Sequence, residues 1–169
     1  MALEAFITGR YTATYNSLAL GVSREGYRFS HETKTQNIEG TDAYGDSLID
    51  MIYRGANMNV AFSMMSASKA VTALILCPWT SDLYVLRSTA KPVGTLASDL
   101  AKVLVLTAEA NTPAAAAAGP ATLTANLAIL APGSVELLFD SRLREVPIRM
   151  NLLPVDTGAN GVIRFATVT

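Results

Sequence analysis

The residues able to carry acid–base or metal chemistry are few and widely spaced in this chain of 169 residues. His31 is its single histidine, and no Gly-x-Ser-x-Gly sequence supplies the nucleophile elbow of a hydrolase triad. Asp42, Asp46 and Asp50 recur every four residues, which on a helix would align three carboxylates on one face. They lack the glycine-anchored spacing of a calcium loop, so capping or solvation explains them better. We therefore predict no catalytic site, no metal site and no cofactor.

Phosphate binding is not indicated either. No Walker A sequence occurs, and isolated glycines such as Gly55 are assigned to turns. The net charge is −1, and the 13 basic residues are scattered along the chain. Stable binding to a phosphate backbone needs clustered Lys and Arg that release counterions. We expect no specific binding of nucleic acid.

The cellular location follows from three segments. Cys77 is the single cysteine and lies in the apolar run Ala73–Cys77, which predicts a buried, unreactive thiol. The first ten residues lack the basic and apolar regions of a signal peptide. The apolar run Ala70–Pro78 is far shorter than the ~20 residues of a membrane-spanning helix. We expect a soluble product of the cytoplasm with no membrane partner.

Composition favours an oligomer. Hydrophobic residues make up 50% of the chain and charged residues only 16%, against roughly 25% charged in a typical soluble protein. Apolar surface in excess of a monomer's needs usually lies at subunit contacts. The alternative is that alanine, as in the run Ala114–Ala118, accounts for much of the excess without forming an interface. The length corresponds to a single domain, residues 1–169.

Period-two alternation predicts two strands in the first part of the chain. Tyr11–Gly21 and Tyr27–Ile38 alternate apolar with polar residues, and Ser23–Gly26 supplies a turn between them. We predict that they pair as one long antiparallel hairpin. The polar face of the second arm is too long and too charged for a core. The polar residues of the two arms are Thr12, Thr14, Asn16, Arg28, Ser30, Glu32, Lys34 and Gln36.

The segment Gly40–Arg54 has an ambiguous period. Leu48, Ile49 and Ile52 fit a helix with Asp46 as its N-cap, whereas alternate residues fit a strand, and we favour extended structure. We predict that Gly55–Asn57 turns the chain into a strand at Met58–Met65. Ser66 then caps a helix over Ala67–Leu76, which Pro78 ends.

The rest of the chain predicts short strands joined by turns. The region Trp79–Asp99 is irregular, with a short strand at Leu83–Leu86, and Pro113 with Gly119–Pro120 makes the alanine-rich Asn111–Pro120 a loop. Strands are predicted at Lys102–Thr107, Thr122–Leu130, Ser134–Phe139, Glu145–Leu152 and Val162–Val168. Together these elements predict a mainly β fold, a β-sandwich or barrel with one flanking α-helix and a long β-hairpin.

Several segments also resemble one protein family. The run YGDSLIDMIYRG at Tyr44–Gly55, the segments Leu96–Ala108 and Ala121–Leu138, and the closing VPIRMNLLP and FATVT are similar to tail tube proteins of tailed bacteriophages. The resemblance covers most of the chain through loose patterns without an invariant motif. It implies a ring-forming subunit without catalytic activity, whose hexameric rings stack into the virion tube that conducts DNA during ejection.

The resemblance also implies partners and contact sites. Expected partners are further copies of this chain and other tail proteins, namely tape measure, terminator and sheath proteins, in a tail assembled in the host cytoplasm. DNA only passes through. The polar residues of the predicted hairpin, Thr12 to Gln36 as given above, would line the channel, where a weakly charged wall lets DNA slide. The segment Gly40–Arg54 would reach a neighbouring subunit or ring through Asp42, Tyr44, Asp46 and Asp50.

Two other classes of protein stay open at this point. A capsid decoration or neck protein would use the same β-architecture for a different contact. In electron microscopy, stacked rings or tubes would favour a tail protein, whereas discrete trimers would favour a decoration protein. A small enzyme or ligand-binding β-barrel would assemble its site from residues that no motif reveals, and a ligand or turnover screen on a monomer would identify it.

Overall fold

The computed structural model describes residues 11–23, 25–39, 48–66, 68–80, 92–109, 122–133, 145–156 and 162–168. The protein is mainly β, and its described residues form antiparallel strands and two short helices. The first strands are β1 (Tyr11–Tyr15), β2 (Leu18–Ala19), β3 (Val22–Ser23), β4 (Arg28–Glu39) and β5 (Leu48–Ser66). Helices α1 (Lys69–Leu76) and α2 (Ala97–Leu100) follow. The remaining strands are β6 (Lys102–Ala108), β7 (Thr122–Leu130), β8 (Val146–Leu152), β9 (Val155–Asp156), β10 (Ile163–Arg164) and β11 (Thr167–Val168).

Nine of these strands form one sheet, in which the path β2-β1-β6-β7-β8-β5-β3 is extended by β4 beside β5 and by β11 beside β7. The predicted hairpin is therefore wrong, because β1 pairs with β6 and β4 pairs with β5. Four strands separate β1 from β4 along this order. Alternation identifies a strand with one covered face, but it does not identify the strand's partner.

A tight turn ends β1 earlier than predicted. Asn16 and Ser17 both have positive φ, of 50° and 65°, and Tyr15 pairs with Leu18 across them. Two consecutive positive φ angles are the geometry of a type I′ hairpin turn, which asparagine tolerates well. The segment predicted as one strand, Tyr11–Gly21, is thus a small hairpin of β1 and β2.

The core lies on one face of the large sheet and is closed by α1. Val71, Leu74 and Ile75 of this helix pack in the same cluster as the buried side chains of five strands. That cluster also contains Ala13, Tyr15, Leu20, Val60, Phe62, Met64, Leu104, Leu106, Ala125, Ala128, Ile148, Met150 and Leu152. A second, smaller cluster joins Leu100 and Ala101 at the end of α2 to Ile129 of β7.

Two tyrosines make specific contacts in the core, one with a backbone carbonyl group and one with an aromatic side chain. The buried Tyr15 hydroxyl donates a hydrogen bond of 2.9 Å to the carbonyl oxygen of Ala128. Burial raises the pKa of Tyr15 to about 12, and a backbone hydrogen bond from Lys102 offsets part of that effect. Burial also raises the pKa of Tyr27, whose ring packs at 5.2 Å and a tilt of 51° against Phe62.

The predicted helix exists, but it begins later and uses a different cap. The Ser68 hydroxyl oxygen accepts a hydrogen bond from the Val71 N–H at 3.3 Å, which replaces the predicted cap at Ser66. The helix ends at Cys77, which is buried and forms no disulfide. Because Pro78 follows, a further turn of helix would clash. The short helix α2 lies in a region predicted to be irregular.

The strand predictions in the second half agree closely with β6, β7 and β8. The predicted strand Val162–Val168 divides into β10 and β11. The predictions for Leu83–Leu86, Asn111–Pro120 and Ser134–Phe139 lie outside the described residues.

The largest difference concerns β5, which is one continuous strand of 19 residues. It contains both the ambiguous segment before Arg54 and the predicted turn at Gly55–Asn57. Gly55 has a φ of +120°, and the ladder to β4 skips Arg54 at this point. Glycine here permits a β-bulge within the strand, so the chain continues where a turn was expected.

Candidate functional site

The first half of β5 extends beyond the strand β8, which pairs only with the second half of β5. The ladder between β5 and β8 runs from Met64↔Val146 to Met58↔Leu152 and ends there. The residues that follow β8 leave the ladder, because the Leu153 N–H donates a hydrogen bond to the Leu127 carbonyl oxygen and Pro154 has no N–H to donate. Beyond Met58, β5 therefore loses its neighbour on this side.

Only β4 accompanies β5 over this outer half, among the residues that the structure describes. Their pairing continues from Glu32↔Asn57 to Glu39↔Leu48. We call this two-stranded ribbon the arm, made of Glu32–Glu39 and Leu48–Asn57. At a rise of about 3.3 Å per residue, the arm is roughly 30 Å long.

The two faces of the arm follow from its register. Tyr53 lies opposite Thr35 and Met51 opposite Asn37, and this face continues the core face of the sheet. Ile52 lies opposite Gln36 on the other face. Within the described residues no strand other than β4 pairs with β5 over the arm, and all of its β4 residues are exposed.

The arm exposes large apolar side chains on both faces. Tyr53 is 65% exposed, and Met51 and Leu48 are each 54% exposed. Ile52 and Ile38 are 51% and 40% exposed. An isolated two-stranded ribbon is at best marginally stable in water, and open apolar strand edges favour pairing with another chain. The arm thus has the properties of an association surface.

A single polar contact joins the two strands of the arm through their side chains. Arg54 Nη1 donates a hydrogen bond of 3.0 Å to Gln36 Oε1. Because Arg54 is the residue skipped by the ladder, its long side chain reaches across to β4 from the bulge. Both groups are exposed, so this bond contributes little to stability.

The residues predicted to line a channel share one face of the sheet, although they do not form one hairpin. Thr12 lies opposite Thr107, and Arg28 lies opposite Ala61, in both cases on the face away from the core. That outer face carries seven of the eight residues, namely Thr12, Thr14, Arg28, Ser30, Glu32, Lys34 and Gln36. The eighth, Asn16, is exposed in the type I′ turn.

The residues predicted to contact a neighbouring subunit are described only in part. Asp50 is exposed in the arm, where its Oδ1 accepts a hydrogen bond of 2.7 Å from the Met51 N–H. Asp42, Tyr44 and Asp46 lie outside the described residues. The prediction of extended structure is confirmed for Leu48–Arg54, but the sequence did not predict that β5 pairs with β4 to form an arm. The concentration of apolar residues from Leu48 to Tyr53 was the feature of the sequence that could have indicated this surface.

The described residues show no arrangement suited to metal binding. No group of three or more His, Cys, Asp or Glu side chains in this part of the chain could hold a metal ion. His31 is exposed on β4 opposite Met58. None of the described helices has the length and apolar character needed to cross a bilayer.

Comparison of the chain with protein-family models gives no match, and comparison with curated protein sequences gives none either.

Proposed function

We propose that this protein is a structural virion protein of the tail tube type, which assembles with copies of itself into stacked rings through which phage DNA passes. The observation that carries this proposal is the arm, with five large apolar side chains exposed on a ribbon with which no further described strand pairs. The finer fold expected of such a subunit, a ring-forming β-sandwich or barrel, belongs to the same proposal.

The arm supports assembly because a neighbouring subunit would cover the apolar surface that the monomer leaves in water. A subunit that associates head to tail presents different surfaces to its two neighbours, and such contacts close into rings or extend into stacks. Tyr53 and Met51 lie on one face of the arm and are suited to act as anchors, because aromatic and methionine side chains are enriched in interface cores.

The outer face of the sheet supports the second part of the proposal, a polar channel wall. Its residues on β1, β6 and β7 include several threonines, such as Thr12, Thr107 and Thr124. Threonine presents a hydroxyl and a methyl group without charge. A wall of this kind would hydrate DNA without holding its phosphates, since strong retention requires clustered cations.

Electron microscopy of the purified protein at high concentration tests the proposal. We expect stacked rings or tubes from the wild-type chain. Discrete trimers would instead favour a capsid decoration protein, and a monomer at every concentration would contradict the proposal.

A matched pair of variants connects assembly to the arm. Replacing Met51 and Tyr53 together by Ser should weaken ring formation about 30-fold or more, as expected for loss of anchors that contribute about 2 kcal/mol. The control replaces Val93 and Leu96 by Ser, since these apolar residues are 77% and 67% exposed but lie outside the arm. Equal loss of assembly in both variants would contradict the role of the arm.

A further inference from the structure

We propose that a groove at the inner end of the arm binds a neutral carbohydrate through three asparagine side chains. The groove has a volume of about 320 Å³ and lies where β8 ends while β5 continues. This volume is near the lower end of the range for small-molecule sites, which is about 300–1,000 Å³. The inference goes beyond the proposed function and does not depend on it, because the site is complete within one chain.

Cross-strand register brings the three asparagines together on the outer face of the sheet, where all of them line the groove. Asn59 of β5 lies directly opposite Asn151 of β8, and Asn57 is two residues away along β5. The Cα atoms of the facing pair are about 5 Å apart, and those of the two β5 residues are about 7 Å apart. The three amides therefore form a two-dimensional array.

Asn59 is the residue that marks this array as a binding site. It is only 7% exposed, and its side-chain amide forms no hydrogen bond within the described part of the chain. Among the described side chains, no fully buried nitrogen or oxygen atom lacks a hydrogen-bond partner. The amide of Asn59 therefore keeps a narrow opening, which leads to the groove that it lines. A ligand that enters the groove supplies the hydrogen bonds that the protein does not.

Glu32 and Arg149 add an acceptor and a set of donors at opposite corners of the same groove. Glu32 of β4 lies opposite Asn57, and Arg149 lies two residues before Asn151 on β8. Two strand spacings and four residues separate the two charges, so their Cα atoms are roughly 16 Å apart. At this distance they form no ion pair with each other, and neither has one elsewhere among the described residues. Because one is negative and the other positive, the groove as a whole favours neither an anion nor a cation.

Hydroxyl groups are the ligand groups that satisfy this set of side chains together. Each asparagine amide offers donors and an acceptor, a carboxylate only accepts, and a guanidinium only donates. A hydroxyl group both donates and accepts, so the neighbouring hydroxyls of a sugar ring can pair with all three kinds of side chain. An apolar ligand would leave these groups without partners, which is costly for an enclosed amide. A neutral sugar thus matches the groove better than a charged or an apolar ligand.

The remaining wall of the groove is apolar and is formed by Leu153, Pro154 and Phe165, among other residues. Phe165 packs against the main core cluster, and Leu153 packs against the smaller cluster at α2. A sugar ring has a rim of hydroxyl groups and faces made of C–H groups, and C–H groups pack favourably on apolar and aromatic side chains. The groove offers both kinds of contact.

An extended peptide is the other neutral ligand that carries both donors and acceptors. Its main-chain groups recur along a line with the spacing of Asn57 and Asn59. A peptide that follows β5 would therefore meet these two amides through its main chain, but it would not reach Glu32 and Arg149 on the two flanking strands in the same way. The two-dimensional arrangement of the polar groups favours the sugar.

Saturation-transfer NMR and isothermal titration calorimetry test the site on the 169-residue chain, because both methods tolerate assembly of the protein. The probes are D-glucose, D-galactose, D-mannose and N-acetyl-D-glucosamine. We expect saturable binding of at least one of them, with a dissociation constant on the order of 1 mM for a small ligand in an open groove. Absence of saturable binding for all four sugars, at concentrations far above that value, would overturn the proposal.

Two variants assign the binding to the groove. Asn57→Ala removes an exposed amide and should weaken binding about tenfold in a folded protein. Asn59→Leu should weaken it by about tenfold or more, while the melting temperature stays the same or rises, because an apolar side chain of similar size replaces an unpaired amide. A lower melting temperature with unchanged sugar affinity would identify Asn59 as a structural residue and overturn its role.

The matched control is Asn126→Ala, which removes an exposed asparagine of β7 that does not line the groove and should leave the affinity unchanged. Equal weakening in this control, or binding that neither groove variant weakens, would place the sugar elsewhere. The peptide N-acetyl-tetraalanine amide tests the alternative ligand. If it bound in a manner that required Asn57 and Asn59 while no sugar did, the groove would recognise an extended main chain instead. None of these results bears on ring formation, so electron microscopy judges the proposed function separately.

Discussion

The two halves of β5 share one strand and one pattern of alternation, yet they occupy opposite environments. Met64 is 4% exposed in the inner half, whereas Met51 is 54% exposed in the arm. The inner half lies between β4 and β8 with its core face in the cluster that includes α1. The outer half keeps only β4. Neighbours supplied by distant segments, rather than local sequence, create the difference.

The comparison also separates two uses of apolar residues. In the inner half they hold the fold together, and mutations there should lower the free energy of unfolding. In the arm they should contribute little to the stability of the monomer, and the proposed function assigns them to association. Four predictions test this division, beginning with the largest effect.

The sharpest test compares the same substitution in the two halves. Met64→Ala should lower the free energy of unfolding by about 2–5 kcal/mol, because it removes a packed core side chain and leaves a cavity. Met51→Ala should change it by less than about 0.5 kcal/mol, as for other surface positions. Urea denaturation of the monomer measures both. A large effect at Met51 would show that the arm is part of the monomer's core.

The second test uses alkaline pH and a pair of tyrosines. Burial raises the pKa of Tyr15 from 10.0 to about 12, so the folded state holds this proton more tightly than the unfolded chain. The resulting stabilisation is complete below pH 10 and is lost as the pH rises toward about 12. In Tyr15→Phe this loss should disappear, while loss of the buried hydrogen bond lowers stability at neutral pH by about 1 kcal/mol.

Thermal unfolding across this pH range provides the measurement for the tyrosine pair. Tyr53→Phe is the matched control, because its hydroxyl belongs to a side chain that is 65% exposed in the arm. If Tyr15→Phe kept the full alkaline loss of the wild type, ionisation of the core tyrosine would not be its cause.

The third test examines whether the arm opens independently of the core. Gly55 has a φ of +120°, so Gly55→Ala should strain the bulge by about 1–3 kcal/mol. We expect faster amide hydrogen exchange over Leu48–Asn57, with little change over Met58–Met64, because weakly supported segments open locally. Asn57→Ala serves as the control. Equal loss of protection in both halves would show that β5 unfolds as one unit.

The smallest expected effect concerns the contact between Arg54 and Gln36. Gln36→Ala removes the exposed side-chain hydrogen bond and should destabilise the arm by no more than about 0.5 kcal/mol. Hydrogen exchange of the arm in the monomer detects a change of this size. Asn37→Ala, at the next position of β4, controls for the loss of an exposed polar side chain; an equal effect there would argue against the contact.

Much of the local structure was predictable because it depends on neighbouring residues. The β-branched and apolar residues of Lys102–Ala108 identify β6, and Pro78 limits α1 at its end. The use of Ser68 rather than Ser66 as the N-cap was not predictable, because several serines precede the helix and only backbone angles decide among them. Gly55 suggested a turn, whereas in the structure it accommodates a bulge, since either conformation requires positive φ.

For the candidate site, the sequence predicted individual residues and an extended segment, but not their arrangement. The polar residues of the first two strands and the extended form of the segment before Arg54 were identified correctly as sequence patterns. Their arrangement was not, because β1 and β4 lie four strands apart and β4 pairs with a segment that begins nine residues after it ends. Strand pairing across such distances depends on the packing of the whole sheet.

By itself, the sequence determined a mainly β chain with a helix before Pro78, few candidates for chemistry and an acidic segment between Glu39 and Asp50. These properties follow from side-chain type and from short-range backbone preferences. Tertiary structure decided that β8 ends at Leu152 while β5 continues beyond its pairing with β8, so that β5 is core in one half and exposed in the other. It also placed Glu32 beside Asn57 and Asn59 beside Asn151, because cross-strand register joins residues that are far apart in the chain.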